Sequence, residues 1–197
     1  MDIPQIRWMD ISQDDQHRLL RLARRALEAR VRKAPPPPAE RGGALDWPCG
    51  AFVTIHHRGD LRGCLGRVDV DAPLADTIAH LAAVVSDSDP RFDPVSAREL
   101  CEIALEISVL SPEEDVRSID QIEIGRHGLI IEQGHRRGLL LPQVATEHGW
   151  DRETFLGHAC QKASLPPDAW RRGARILIFE ALVFGEKASE SGPQPDS

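Results

Sequence analysis

Leu61-Arg62-Gly63-Cys64-Leu65-Gly66 decides how this chain is read. The run has the character of a strand, yet two glycines sit inside it with a cysteine between them. Glycine weakens a strand unless a bulge or a close backbone approach calls for it. Just upstream, Ala51 to His57 alternates as a strand and Arg58-Gly59-Asp60 supplies a turn. Leu61 to Val68 therefore returns as the second arm of a hairpin. A period of two places Arg62, Cys64 and Gly66 on one face and Leu61, Gly63 and Leu65 on the other. The Arg-Gly-Asp tripeptide has the letters of an adhesion signal, but its position between two strands makes it a turn.

Further out, the chain alternates hairpins with amphipathic helices. Ser12 caps a first helix with Asp14 and Asp15 in its first turn, and Leu19, Leu20, Ala23, Ala26, Leu27 and Val31 recur at helical spacing. The arginines among them, Arg18, Arg21, Arg24, Arg25 and Arg30, form either a solvated face or a contact for an acidic partner. Pro35 to Pro38 ends that helix, and residues 34–46 read as a mobile connector. Pro73 opens a second helix with Leu74, Ile78, Leu81, Ala82 and Val85 as its buried stripe. Ile103, Leu105, Ile107 and Val109 alternate toward a core, which turns Glu106 to the opposite face. Ser96/Glu99 and Ser118/Gln121 have capping-box spacing for short helices. Two strands around the Gly134 turn follow, then a helix from Pro142 and another capped by Asp151, with Phe155, Leu156, Ala159, Cys160 and Ala163 as an apolar stripe. Arg175 to Phe184 reads as one long final strand. About six strands with four or five helices give an α+β class, a mostly antiparallel sheet with flanking helices. The domain spans residues 12–187, with an N-terminal extension at 1–11 and a disordered tail at 188–197.

At 197 residues and 41% hydrophobic content the chain can build a full core, and a formal net charge of -7 argues against broad nucleic-acid binding. No apolar run has the length of a membrane helix and no signal pattern opens the chain, so a cytoplasmic protein is expected. The four cysteines, Cys49, Cys64, Cys101 and Cys160, have neither zinc nor iron–sulfur spacing, and no phosphate-cradling glycine loop is present. No metal site or cofactor is expected.

Several motifs in one order resemble the AMMECR domain family, also called protein A of the AmmeMemoRadiSam system. They are Leu61 to Gly66, Asp89-Pro90-Arg91-Phe92, Glu106 to Leu110, Gly138 to Ala145 with Glu147, Trp150-Asp151, Phe155-Leu156 and Cys160-Gln161-Lys162-Ala163. The resemblance runs from about Gln13 to Glu186. It implies two lobes with a cleft between them, and a companion role beside Memo-like and radical-SAM proteins in a modification pathway. It also makes the opening stretch a wall of that cleft, with Arg62, Gly63 and Gly66 beside a small-molecule ligand of unspecified kind. Two departures stand out: the family pattern has an asparagine near Leu81, and a glycine where this chain has Ser164.

Cys64 is the candidate for reactivity, because a thiol becomes a nucleophile when nearby positive charge stabilises its thiolate. Arg62 is the expected cation, and His56, His57, His148 and His158 are the available bases. Equally, Cys64 is a small residue packed where nothing larger fits. Cys160 reads as packing. Arg91 either clamps an anionic ligand or holds its loop through Asp89 or Asp93. Glu106 departs from an apolar alternation. Gln143 and Glu147 stand one helical turn apart and can share a surface. Two functional readings remain: a binding or adaptor component, and a cysteine-dependent enzyme with Cys64 as nucleophile.

Overall fold

The first helix, α1 (Gln13–Val31), starts where Ser12 Oγ accepts the Asp15 N–H at 3.1 Å and carries Asp14 and Asp15 in its first turn. The computed structural model describes residues 11–68 and 70–186. The extension expected at 1–11 lies outside them except for Ile11, and the tail expected at 188–197 lies wholly outside. Leu110–Leu182 forms one compact unit, and the described residues on either side of it form another.

In the first unit, α1 buries Leu19, Leu20, Leu22, Ala23, Ala26 and Leu27. Several of its arginines are tied into the fold. Arg24 donates to the carbonyls of Leu100 (3.2 Å) and Ile103 (2.7 Å) and pairs with Glu186 (3.0 Å). Arg30 pairs with Asp87 at 2.8 Å, and Arg18 donates to the Arg41 carbonyl at 2.7 Å. The connector after the proline run ends in a 3-10 turn at Gly43–Asp46 with Ala44 and Leu45 buried. The second helix, α2 (Leu74–Val84), lies beside α1 and buries Leu74, Ile78, Leu81 and Ala82. Leu81, where the family pattern has asparagine, is therefore a core residue here.

The sheet of this unit has the order β2-β1-β3-β8, built from β1 (Ala51–His57), β2 (Asp60–Arg67), β3 (Ile103–Leu110) and β8 (Ala181–Gly185). β1 pairs antiparallel with both β2 and β3. Ile103, Leu105, Ile107 and Val109 are buried, as the alternation predicts. The hairpin turn is tighter than expected: Arg58 (φ 53) and Gly59 (φ 91) are its two central residues, both left-handed, so His57 pairs directly with Asp60. A bulge between Ile55 and His56 then takes one extra residue, Arg62, into β2. It separates Leu61 from Gly63, which simple alternation puts together. Leu61 pairs with His56 and is 44% exposed, whereas Gly63 pairs with Ile55 and is buried.

The second unit has a sheet of order β4-β7-β5-β6, from β4 (Glu114–Asp115), β5 (Gly128–Gln133), β6 (Arg136–Leu140) and β7 (Arg175–Phe179). The long final strand expected from Arg175 is thus two strands in two sheets. They part at Glu180, whose N–H donates to Ser111 Oγ and whose carbonyl accepts the Ser111 N–H, each at 2.9 Å. That local exchange takes Glu180 out of either ladder. Ser118 and Gln121 do form a capping box, on a 3-10 turn at Ile119–Gln121. Helix α3 (Pro142–Glu147) has Pro142 in its first turn, and α4 (Arg152–Lys162) is capped by Asp151, whose Oδ1 accepts the Thr154 N–H at 2.8 Å. Phe155, Leu156, Ala159, Cys160 and Ala163 all enter the core with Leu129 and Ile131.

Just past the Ala163 cap of α4, Ser164 has φ 58, while the Leu165 N–H returns to the Cys160 carbonyl at 2.9 Å. The left-handed residue after a helix is the position glycine favours, and that is the physical meaning of the glycine in the family pattern. Ser164→Gly is expected to stabilise this chain by about 1 kcal/mol, since the side chain is strained there and glycine is not. A thermal melt checks it, and an unchanged or lowered Tm would remove the argument.

Candidate functional site

Side chains directly opposite one another in an antiparallel pair point to the same face. The registers of β1 with β2 and with β3 therefore order the outer face of the first sheet in three rows: Gly66, Phe52, Ser108; then Cys64, Thr54, Glu106; then Leu61, His56, Ala104. Four of the eight residues around Thr54 are small, Gly66, Ser108, Cys64 and Ala104, and the half-buried Glu106 rises among them. The two glycines of the opening stretch serve opposite faces. A Cβ at Gly63 would meet Ile55 and Val85 at 3.2 Å on the core side, and a Cβ at Gly66 would collide with the Phe52 ring on the outer side. Both are close-approach positions, which answers why a strand tolerates them.

Cys64 stands at the middle row, half-buried, with Thr54 Oγ1 donating to its sulfur at 3.3 Å. Burial pushes the thiol up from its ordinary range; the Thr54 hydrogen bond and Arg91 pull it down, Asp89 and Glu106 push it up further, and the balance is upward. Cys49 is driven by burial to about 11, and Cys160 is likewise raised by burial. None of the candidate bases partners Cys64 among the described residues. His57 bonds the Glu102 carboxylate at 2.7 Å, and the rings of His148 and His158 stack on Trp150 at 4.7 and 3.9 Å.

Arg62 is not the cation of this thiol. As the bulge residue it leaves the strand lattice, pairing with Glu99 at 2.9 Å and donating to the Asp93 carbonyl at 2.8 Å. Glu99 also accepts the Ser96 N–H at 2.7 Å, which is one half of the expected capping box. Burial would raise the Glu99 carboxyl, but the Ser96 N–H and Arg62 outweigh it and hold it at about 2. Arg91 is the cation that acts on Cys64. Its Nε and Nη2 bind Asp89 at 3.0 and 2.7 Å, and its own N–H binds the same carboxylate at 3.1 Å. Of the two uses open to Arg91, loop-holding through Asp89 is therefore realised, yet its side chain remains 55% exposed against 3% for Asp89. Asp89 Oδ2 also accepts the Cys64 N–H at 2.9 Å. One buried carboxylate thus ties the Cys64 backbone to the Arg91 guanidinium, and Arg91 holds it far below the usual carboxylate range. Phe92 lies near both arginines, its ring centre 5.9 Å from Arg62 Cζ and 5.4 Å from Arg91 Cζ.

Glu106 shares Thr54 with Cys64 as a cross-strand neighbour, and among the described residues it has no hydrogen-bond or ion-pair partner. Gln143 and Glu147 lie on α3 in the second unit, Gln143 half-buried and Glu147 exposed. Within the first unit the fold thus brings together Cys64, Glu106, Gly66 and Arg91, and turns Arg62 and Gly63 to structural work. Sequence reasoning missed Thr54. The signal was its place in the middle strand, three residues before the turn, where either neighbour lies one strand away. No group of three or more His, Cys, Asp or Glu residues among those described is arranged to hold a metal ion. No helix among them is long and apolar enough to cross a membrane.

Comparison with known proteins follows the same outline. A protein of Thermofilum pendens is 44% identical over 187 residues, covering 85% of this chain and 88% of that protein. Protein MJ0810 of Methanocaldococcus jannaschii is 45% identical over 146 residues, covering 70% of this chain and 73% of that protein. The crystal structure of the uncharacterized protein PH0010 from Pyrococcus horikoshii superimposes with a TM-score of 0.84 at 38% identity, covering 93% of this chain and 96% of that one. The AMMECR1 family model matches residues 20–184, which takes in every residue of the site just described and all of the strands but Gly185. The chain belongs to the AMMECR1 family.

Proposed function

We propose that this chain is a binding component, acting beside Memo-like and radical-SAM proteins in a modification pathway, and that Cys64 serves it as a neutral contact rather than as a nucleophile. The observation that carries the reading is the setting of the thiol. It takes a hydrogen bond from Thr54, no histidine is hydrogen-bonded to it among the described residues, and burial disfavours its thiolate. Near it stand a guanidinium held at the β2 edge and, on the outer face, a free carboxylate, which are recognition groups. A cysteine nucleophile needs the reverse: a stabilised thiolate and a base within reach.

The rate of Cys64 alkylation against pH tests this, with Cys64→Ser as control. The apparent thiol pKa is expected above the free-cysteine value of about 8.5. A value well below it would restore the enzyme reading. In parallel, co-purification with a Memo-like protein is expected to survive Cys64→Ser and to weaken with Arg91→Gln. Loss of the complex in Cys64→Ser would count against the neutral-contact role.

A further inference from the structure

The outer face of the first sheet and the loop at its β2 edge carry two opposite charges that the fold treats differently. Arg91 is anchored at three donors to a buried carboxylate but leaves more than half of its side chain in solvent. It is a guanidinium set in position with donor capacity left over. Glu106 is half-buried and, among the described residues, answered by nothing. A carboxylate partly removed from water gains when a cation or donor meets it. Between the two lie the Cys64 thiol and the Thr54 hydroxyl, already bonded to each other.

We infer that this face binds a small zwitterion, its anionic group on Arg91 and its ammonium group on Glu106, lying across Cys64. This rests on the binding reading above. The strand lattice sets the span. Cys64 and Glu106 are each one strand away from Thr54, so their backbones stand about 10 Å apart at roughly 4.8 Å per strand. Arg91 lies beyond Cys64, within two hydrogen-bond lengths of its amide through the shared Asp89 oxygen. Long side chains shorten this gap, but a compact α-amino acid has its two charges too close together to meet both. The ligand therefore has its charged ends several bonds apart, as an ω-amino acid, a lysine-like side chain with its carboxylate, or a short peptide does. The side chains beside Glu106 on this face, Thr54, Ser108 and Ala104, are short, with Phe52 and His56 on either side of the middle row.

Cys64 itself reports occupancy, because a ligand lying across it shields it from an uncharged alkylating reagent. Cys101 is exposed and would report too, so the measurement uses the full chain with Cys101→Ser. The probes are ε-aminocaproate, glycine, caproate and hexylamine. Only ε-aminocaproate is expected to slow alkylation of Cys64 several-fold. Glu106→Gln and Arg91→Gln are each expected to weaken that protection by on the order of tenfold, the usual worth of one charge-assisted hydrogen bond. Equal protection by caproate or by hexylamine would show a site for one charge and overturn the proposal. So would protection by glycine as strong as by ε-aminocaproate, protection that survives both substitutions, or no protection by any probe. These results leave the thiol titration and the co-purification untouched. Failure of the ligand class is thereby separable from failure of the binding reading.

Discussion

Gly138→Ala is expected to lower the stability of the fold by about 3 kcal/mol, seen as a Tm lower by roughly 10 °C. Gly138 sits in β6, and a Cβ added there would run into backbone atoms of Lys162 and Ala163 at the C-terminal end of α4. Backbone at a helix end that is already closed by the Leu165 to Cys160 hydrogen bond has little freedom to retreat. Gly66→Ala is the informative comparison. Its added Cβ also collides, but with the ring of the half-buried Phe52, which can swing aside. That change is expected to cost about 1 kcal/mol, at the low end for overpacking. Equal losses in the two variants, measured by urea denaturation, would show that rigidity of the neighbour is not what sets the penalty.

The second large effect is expected for Asp89→Ala, about 3 kcal/mol at neutral pH. β2 is the edge strand of its sheet, so its outward N–H groups have no neighbouring strand to bind. Asp89 supplies that acceptor for Cys64 and anchors Arg91 with the same carboxylate. Its truncation leaves a strand amide without a partner and frees the loop that carries Arg91. Amide hydrogen exchange at Cys64 should accelerate along with the loss of stability; an amide that stays protected would refute the assignment. The pH dependence has a definite sign. Arg91 depresses the carboxyl in the folded state, so its contribution is complete above the ordinary aspartate value of about 3.9 and is lost as pH falls below it. The gap between wild type and Asp89→Ala should therefore narrow in acid.

What could be read from the chain and what could not divide along physical lines. Helices α1, α2 and α4 were legible because caps and apolar stripes are local properties: Ser12, Asp151 and the residues from Phe155 to Ala163 do what their spacing predicts. The outward turn of Glu106 followed from period two in β3. The bulge did not. A two-residue turn counted without it would set Thr54 against Gly63, and only the extra residue brings Thr54 opposite Cys64. Arg62 was assigned to the thiol for the same reason, since a bulge residue no longer obeys the alternation that located it. Arg91 could be narrowed to two uses because its carboxylate partner is two residues away, whereas choosing between them required burial of Asp89 and exposure of Arg91. The break at Glu180 was hidden because Arg175 to Phe184 is largely apolar and what takes Glu180 out of the ladder is Ser111, far away in sequence. Ser164 carried a readable sign, a serine where the family pattern has glycine, and its left-handed backbone explains that sign.

The bulge at Arg62 also bears on the order in which the molecule assembles. Most hairpins close on contacts a few residues apart, within microseconds. This one reaches its working register only with Arg62 out of the ladder, and the groups that receive Arg62 are Asp93 and Glu99, more than thirty residues further along the chain. The Cys64 amide waits in the same way for Asp89. Closing loops of that length carries an entropic cost that a nascent hairpin does not meet by itself. Leu61 to Gly66 is therefore a late-maturing segment: on a growing chain its final register comes into being only after α2 and the loop beyond it have emerged and docked.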